Sequence, residues 1–94
     1  MVVVNEYFEG KVKSLSLHGS SGKETVGVML VGEYTFNTQL REIVTVMSGS
    51  MTVLLPDSEE WQLIEKFERF DVPANSSFQL KIYADTAYLC QYIG

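Results

Sequence analysis

Short segments rich in β-branched and aromatic residues recur along the whole 94-residue chain, separated by polar or glycine-containing stretches. No segment exceeds eight residues, and no window of eleven residues sustains the i, i+3, i+4, i+7 spacing of an amphipathic helix. The pattern predicts nine β-strands, at residues 11–18, 25–31, 34–37, 43–47, 51–55, 62–64, 70–72, 78–83 and 87–93.

Two segments show which face of a strand is buried. Val44 and Val46 alternate with less apolar neighbours, and Phe78, Leu80 and Ile82 alternate with Gln, Lys and Tyr. Successive side chains of a strand point to opposite faces, so each of these rows is expected to face a core. About nine short strands at close spacing favour an all-β antiparallel sandwich or small barrel.

Turn-forming residues lie between the predicted strands. Residues 19–22 (Gly-Ser-Ser-Gly) predict a loop, Ser48-Gly49 predicts a tight hairpin, and the polar stretches 56–60 and 73–77 each begin with a proline. No repeat and no linker-like segment interrupts the pattern, so residues 1–94 are expected to form one domain.

The faces of the predicted strands that point away from the core are also partly apolar. Met47, Leu54, Tyr83 and Leu89 would leave hydrophobic surface outside a barrel. An uncovered patch of this kind is typical of a protein contact, so we expect a homodimer.

The composition of the chain limits the classes of ligand and partner that it is expected to bind. Seven basic against twelve acidic residues give a net charge of −5, which argues against a nucleic-acid polymer as ligand. With Cys90 and His18 as the only cysteine and histidine, one chain cannot form a zinc site of four Cys and His ligands. No apolar run approaches the ~20 residues of a membrane span, and the amino terminus lacks signal-peptide features, so we expect a cytoplasmic protein without membrane contact.

Residues 32–42, followed by Gly49, resemble the first motif of the cupin barrels, and residues 70–73 followed by Phe78 resemble the second. In metal-binding cupins, histidines occupy the positions that hold Phe36, Thr38 and Phe78 here, whereas Glu42 keeps the usual carboxylate. The resemblance therefore implies a small, jelly-roll-like cupin barrel whose metal site has been replaced, with no metal and no cofactor.

A closer resemblance extends over most of the chain. Segments 5–8, 10–14, 26–29, 32–36, 53–57, 61–62 and 88–90 are similar, in order and spacing, to the small cupin-type pyrimidine/purine nucleoside phosphorylases of bacteria. That resemblance implies an enzyme that converts a nucleoside and inorganic phosphate into free base and pentose 1-phosphate. A non-catalytic barrel that binds a small molecule, and a purely structural barrel, are the alternatives.

The cupin positions imply which side chains enter the lumen. Glu42 is the candidate catalytic group, because a carboxyl in an apolar lumen can donate a proton to the base or, when ionised, hydrogen-bond the ribose. The alternative is a rim glutamate paired with Arg41 or a lysine. The candidates for nucleoside contact are Tyr34, Phe36, Thr38 and Phe78, although aromatic residues on barrel strands are commonly core.

Binding of the phosphate substrate is expected to require a cationic side chain. Lys11 and Lys13 share strand parity with Leu15 and Leu17, so inward-facing leucines would bring both lysines to a barrel mouth as phosphate ligands. The alternative is that they protect an exposed strand edge. Other candidate cations are Arg41 and Arg69, whereas Lys23 in the glycine-rich loop would instead reach the mouth of a neighbouring subunit. Cys90 is expected to be a buried, unreactive side chain.

Overall fold

The computed structural model describes residues 1–20 and 22–94, which form ten β-strands and one 3₁₀ turn. The strands are β1 Val4–Tyr7, β2 Val12–Gly19, β3 Gly22–Met29, β4 Gly32–Asn37, β5 Arg41–Ser48, β6 Met51–Leu54, β7 Gln62–Ile64, β8 Arg69–Val72, β9 Ser77–Ile82 and β10 Thr86–Ile93. All nine strands predicted from the sequence are present, with boundaries shifted by at most three residues.

Two antiparallel sheets face each other. The larger sheet has the strand order β1-β2-β3-β10-β5-β8, and the smaller one has the order β4-β9-β6-β7. Strands that are neighbours in the chain repeatedly lie in different sheets, as in a jelly roll, so the chain crosses over the core several times. The prediction of a small antiparallel all-β fold is confirmed.

The core between the sheets follows the period-2 pattern of the sequence. Phe78, Leu80 and Ile82 are at most 4% exposed, and Val44 and Val46 of β5 are buried opposite them. The alternating rows thus face inward as expected, and each supplies one wall of a continuous hydrophobic cluster.

The first strand was missed by the sequence pattern. β1 precedes a 3₁₀ turn at Phe8–Gly10, in which Phe8, Glu9 and Gly10 all adopt positive φ angles of 53°, 57° and 88°. β1 pairs with β2 through Val4↔Leu15 to Tyr7↔Val12 and forms one edge of the larger sheet. Its four residues are mostly exposed and do not alternate between apolar and polar side chains, so the hydrophobic pattern contained no signal for this strand.

The hairpin predicted at Ser48-Gly49 is wrong. β5 pairs with β8 and β10, whereas β6 pairs with β7 and β9, so the chain changes sheets at this point. Gly49 has a φ of +82°, and an added Cβ would lie 2.5 Å from Oγ1 of Thr86. That hydroxyl donates to the Ser50 carbonyl oxygen at 2.9 Å, which fastens the crossover to the start of β10.

At the loop predicted for residues 19–22, Gly19 and Gly22 are paired, and Ser21 lies outside the described residues. Of the apolar residues expected outside the barrel, Met47 and Tyr83 are exposed, and Leu54 and Leu89 are half-buried. No helix in the described part of the chain is long and apolar enough to cross a membrane.

Candidate functional site

A pocket of about 350 Å³ opens between the two sheets. This volume lies within the ~300–1,000 Å³ typical of small-molecule sites. Exposed lining residues form its rim, namely Tyr7, Lys23, Asn37, Gln39 and Leu40. Buried lining residues form its floor, namely Ser14, Met29, Val44, Phe70, Phe78, Leu80, Tyr88 and Cys90; Phe36, Glu42 and Tyr92 are half-buried between rim and floor.

Glu42 lies on the inward face of β5, two residues before the buried Val44, and its carboxylate lines the pocket. The thiol of Cys90, from the neighbouring strand β10, donates to Oε1 of Glu42 at 3.3 Å. Desolvation raises the pKa of Glu42, and the thiol hydrogen bond opposes this only in part. The carboxyl is therefore better able than an ordinary glutamic acid to carry a proton near neutral pH.

Arg41 does not neutralise Glu42. Its guanidinium lies on the outer face of the larger sheet and donates from Nε to Oδ1 of Asp71 at 2.9 Å. This pairing lowers the pKa of Asp71. The alternative of an Arg41–Glu42 pair is thereby excluded, and Arg41 faces away from the pocket as a regular strand requires.

Strand β10 supplies one wall that the sequence reasoning did not assign to the site. Tyr88, Cys90 and Tyr92 occupy alternate positions of this strand and all line the pocket. Desolvation raises the pKa of Tyr88 to about 12 and raises those of Cys90 and Tyr92 as well, so all three are neutral at physiological pH. Because side chains on the same face of a strand are two residues apart, the expected burial of Cys90 would have placed Tyr88 and Tyr92 on the same inward face.

The position of Tyr88 depends on a glycine in the adjacent strand. Tyr88 is the register partner of Gly27, and a Cβ at Gly27 would lie 2.6 Å from the Tyr88 hydroxyl. A side chain there would displace the ring, so Gly27 provides the space that Tyr88 needs at the floor.

Aromatic rings from the smaller sheet form the opposite wall. Phe36 and Phe78 are register partners on β4 and β9, with ring centroids 5.8 Å apart and an interplanar angle of 24°. Two rings of the larger sheet pack against this pair: Phe70 of β8 meets Phe78 edge-on at 5.9 Å, and Tyr7 of β1 meets Phe36 edge-on at 6.1 Å. The site thus joins a carboxyl group on one sheet to stacked apolar rings on the other.

Two of the expected nucleoside-contact residues are buried but do not line the pocket. The Tyr34 hydroxyl donates to the Leu30 carbonyl oxygen at 2.7 Å. Oγ1 of Thr38 donates to the Pro73 carbonyl oxygen at 2.7 Å and accepts from the Ser76 amide at 2.9 Å. Their polar atoms are committed to the backbone, so both side chains fix loops beside the site.

The expected orientation of Lys11 and Lys13 is wrong. Leu15 and Leu17 are 47% and 40% exposed, while Val12 and Ser14 are buried, so the parity of β2 is the reverse of the one assumed. Lys13 lies on the outer face, with its Nζ 3.8 Å from Oε1 of Glu6, and neither lysine lines the pocket.

Lys23, at the start of β3, is the cationic lining residue. Its Nζ lies 5.1 Å from the ring centroid of Tyr92, a cation–π distance. Among the described residues, no group of three or more His, Cys, Asp or Glu side chains is placed to hold a metal ion. At the cupin metal positions, Phe36 and Phe78 carry no donor atoms, and the hydroxyl of Thr38 is occupied by backbone contacts.

Comparison with known proteins connects this geometry to a family. The family model described as pyrimidine/purine nucleoside phosphorylase matches residues 2–92. A Pseudomonas fluorescens (strain Pf0-1) protein named pyrimidine/purine nucleoside phosphorylase is 54% identical over 94 residues, which is all of both chains. One of that name from Pseudomonas syringae pv. tomato is 53% identical over 98% of this chain and 99% of its own.

Solved structures agree on the fold. A Vibrio parahaemolyticus protein of unknown function superposes with a TM-score of 0.95 at 44% identity, covering 99% of each chain. An RmlC-like cupin from Shewanella frigidimarina reaches a TM-score of 0.76 at 15% identity over 97% of this chain and 82% of its own. The fold is therefore a cupin barrel, and the chain belongs to the pyrimidine/purine nucleoside phosphorylase family.

Proposed function

We propose that this protein is a metal-independent nucleoside phosphorylase that accepts both purine and pyrimidine nucleosides. A phosphate oxygen forms a bond to C1′ of the pentose while the C1′–N bond to the base breaks, and the bonding electron pair leaves with the base. The products are pentose 1-phosphate and free base, so the reaction is a pentosyl transfer. Family membership supports the reaction class, and the half-buried carboxyl in the pocket supports the site.

The raised pKa of Glu42 is the observation that supports this proposal most directly. A departing base needs a proton or a hydrogen-bond donor at its nitrogen or carbonyl oxygen as negative charge develops there. Because burial raises the pKa of Glu42, its protonated form persists to higher pH than in a solvated glutamic acid. We assign Glu42 the role of general acid, with the Cys90 thiol fixing the orientation of its second oxygen.

Broad base acceptance follows from the wall opposite Glu42. The stacked rings of Phe36 and Phe78 offer π-faces, and stacking contributes ~1–3 kcal/mol per base with little dependence on base identity. The amide side chains of Asn37 and Gln39 at the rim each contain a donor and an acceptor, so they can pair with either class of base edge.

The decisive experiment measures free base released from uridine and adenosine by the purified protein, with and without inorganic phosphate. Release that depends on phosphate, with stoichiometric pentose 1-phosphate, supports the proposal. No release with either nucleoside, together with thermal stabilisation by the nucleoside alone, would refute it and favour the small-molecule-binding barrel.

We also propose that the protein is a homodimer through the outer face of the larger sheet. Five residues there are 40–50% exposed and apolar, namely Leu15, Leu17, Val26, Val28 and Met47. Leu15 and Val26 are neighbours across β2 and β3, so the apolar surface extends over at least these two strands.

Charge around this outer face favours a second copy of the same chain as the partner. The Lys13–Glu6 and Arg41–Asp71 pairs are each neutral and lie at different strands of the same face. A two-fold contact would bring together two apolar patches flanked by these neutral pairs, with the Glu24 carboxylate of each copy only 8% exposed on the same face.

Light scattering on the purified protein tests this contact, with an expected mass about twice 10.6 kDa. Val26→Lys should yield monomer, because it places a charge in the centre of the outer face. Leu63→Lys, at a 58% exposed position on β7 of the other sheet, is the matched control and should stay dimeric. A monomeric wild-type protein at micromolar concentration would exclude the proposal.

A further inference from the structure

The pocket contains one lysine and one glutamic acid, Lys23 and Glu42, that do not pair with each other. Among the described residues, no carboxylate oxygen lies within 4 Å of Lys23 Nζ, and Glu42 has no basic partner within that distance. An unpaired cation and an unpaired acid in one small pocket leave both groups available to a ligand.

Tyr92 separates the two charged groups. It is the register partner of Glu42 on β10, and on its other side the Lys23 ammonium lies over its ring. Lys23 belongs to β3 and Glu42 to β5, so their strands are two spacings, or about 10 Å, apart in the sheet. Lys23, Tyr92 and Glu42 therefore form a row along one wall of the pocket, with the lysine and the glutamate at its two ends.

Phosphorolysis needs such a separation. Displacement at C1′ requires the incoming phosphate and the departing base on opposite sides of the carbon, with the acid beside the base. If Glu42 serves the base, the anion belongs at the opposite end of the row, where Lys23 lies.

We propose that Lys23 binds inorganic phosphate at the rim of the pocket, with Tyr92 holding the ammonium in place. This inference rests on the proposed phosphorylase activity. It replaces Lys11 and Lys13 as phosphate ligands, because neither lines the pocket. It also explains how a chain with a net charge of −5 can attract an anion, since the attraction is local to one lysine.

Lys23→Met tests the assignment, because methionine keeps most of the apolar stem and removes the charge. The KM for phosphate, measured with saturating uridine, should rise tenfold or more, equivalent to at least 1.4 kcal/mol. The affinity for nucleoside measured by calorimetry without phosphate should change less than twofold, and Lys23→Arg should recover most of the phosphate affinity. Circular dichroism and the melting temperature confirm that each variant is folded.

Lys11→Met and Lys13→Met are the matched controls, as each removes a lysine outside the pocket. Both should leave the KM for phosphate within twofold of wild type. An unchanged KM in Lys23→Met, or a tenfold rise in either control, would overturn the assignment to Lys23. Failure of the proposed function is a separate result, since wild type would then release no base, and titration of wild type and Lys23→Met with inorganic phosphate, followed by ³¹P NMR, would still decide whether Lys23 binds it.

Discussion

Replacing Glu42 by Gln removes the proton donor and the charge while keeping the shape of the side chain. Loss of general-acid assistance typically costs ~10²–10⁴ in rate. Each tenfold loss corresponds to ~1.4 kcal/mol in activation free energy, so the barrier should rise by about 3–5 kcal/mol. We therefore expect kcat for uridine phosphorolysis to fall at least 100-fold, with a small change in the KM for phosphate.

The pH profile gives this substitution a second readout. The acid form of Glu42 is required, and burial raises its pKa above the ordinary 4.5, so kcat/KM of the wild type should decline as pH rises through that raised pKa. Glu42→Gln has no proton to lose and should lack this limb. A decline on the acidic side in the wild type would instead indicate that the ionised form is active.

Stability should change in the opposite direction from activity. A carboxyl whose pKa is raised in the folded state is fully favourable below its unfolded pKa and becomes a cost as pH rises through the folded value. Glu42→Gln should therefore match the wild type in acid and melt at a higher temperature at neutral pH.

A buried carboxylate outside the pocket is the matched control for these measurements. Glu24 is 8% exposed, lies on the outer face of β3 and accepts a hydrogen bond from Gln91 at 3.5 Å. Glu24→Gln should leave kcat within a factor of two. Wild-type turnover in Glu42→Gln, or an equal loss in both variants, would refute the catalytic role of Glu42.

Three further outcomes are expected. Gly49→Ala should lower the free energy of unfolding by about 2–4 kcal/mol in urea titrations, because of the positive φ and the 2.5 Å approach to Thr86. Gly22→Ala should cost only the conformational part, since Gly22 has a φ of +111° and, among the residues that the structure describes, nothing lies within 4 Å of an added Cβ; equal losses would contradict this reasoning. Treatment with EDTA should leave phosphorolysis unchanged, since Phe36 and Phe78 carry no metal-binding atoms, and activity restored by a divalent ion would contradict it. Values of kcat/KM for uridine, cytidine, adenosine and guanosine should fall within ~10,000-fold, or about 5 kcal/mol, and a wider spread would reveal a base-reading polar group.

Local alternation predicted the parts of the fold that are buried on one face. The row Phe78, Leu80 and Ile82 has one side in the core, so period 2 in the sequence translated directly into side-chain direction. The same reasoning failed for β2, where the larger residues Leu15 and Leu17 lie outside and the smaller Val12 and Ser14 inside. Hydrophobicity cannot decide strand parity when both faces are partly apolar.

Long-range pairing was beyond the sequence pattern. A glycine after a serine at residues 48 and 49 is compatible with a hairpin and with a crossover between sheets, and only the partners of β5 and β6 distinguish them. Prediction of the site residues was limited by the same lack of information on strand order. Glu42 and Phe78 were identified through the cupin positions, but Tyr92 and Lys23 enter the pocket because β10 lies between β3 and β5, an order that no local signal encodes.

The floor of the pocket is also part of the hydrophobic core, and this restricts how mutations can change the ligands that the protein accepts. Val44, Phe70 and Leu80 line the cavity and pack in the main cluster at the same time. Enlarging the cavity by truncating one of these side chains would cost about 2–5 kcal/mol. That loss is a large fraction of the free energy of unfolding of a small domain, which is ~5–15 kcal/mol. Altered base or pentose preference should therefore arise at the exposed Asn37 and Gln39, and mutant libraries aimed at them should retain far more folded members than libraries aimed at the floor.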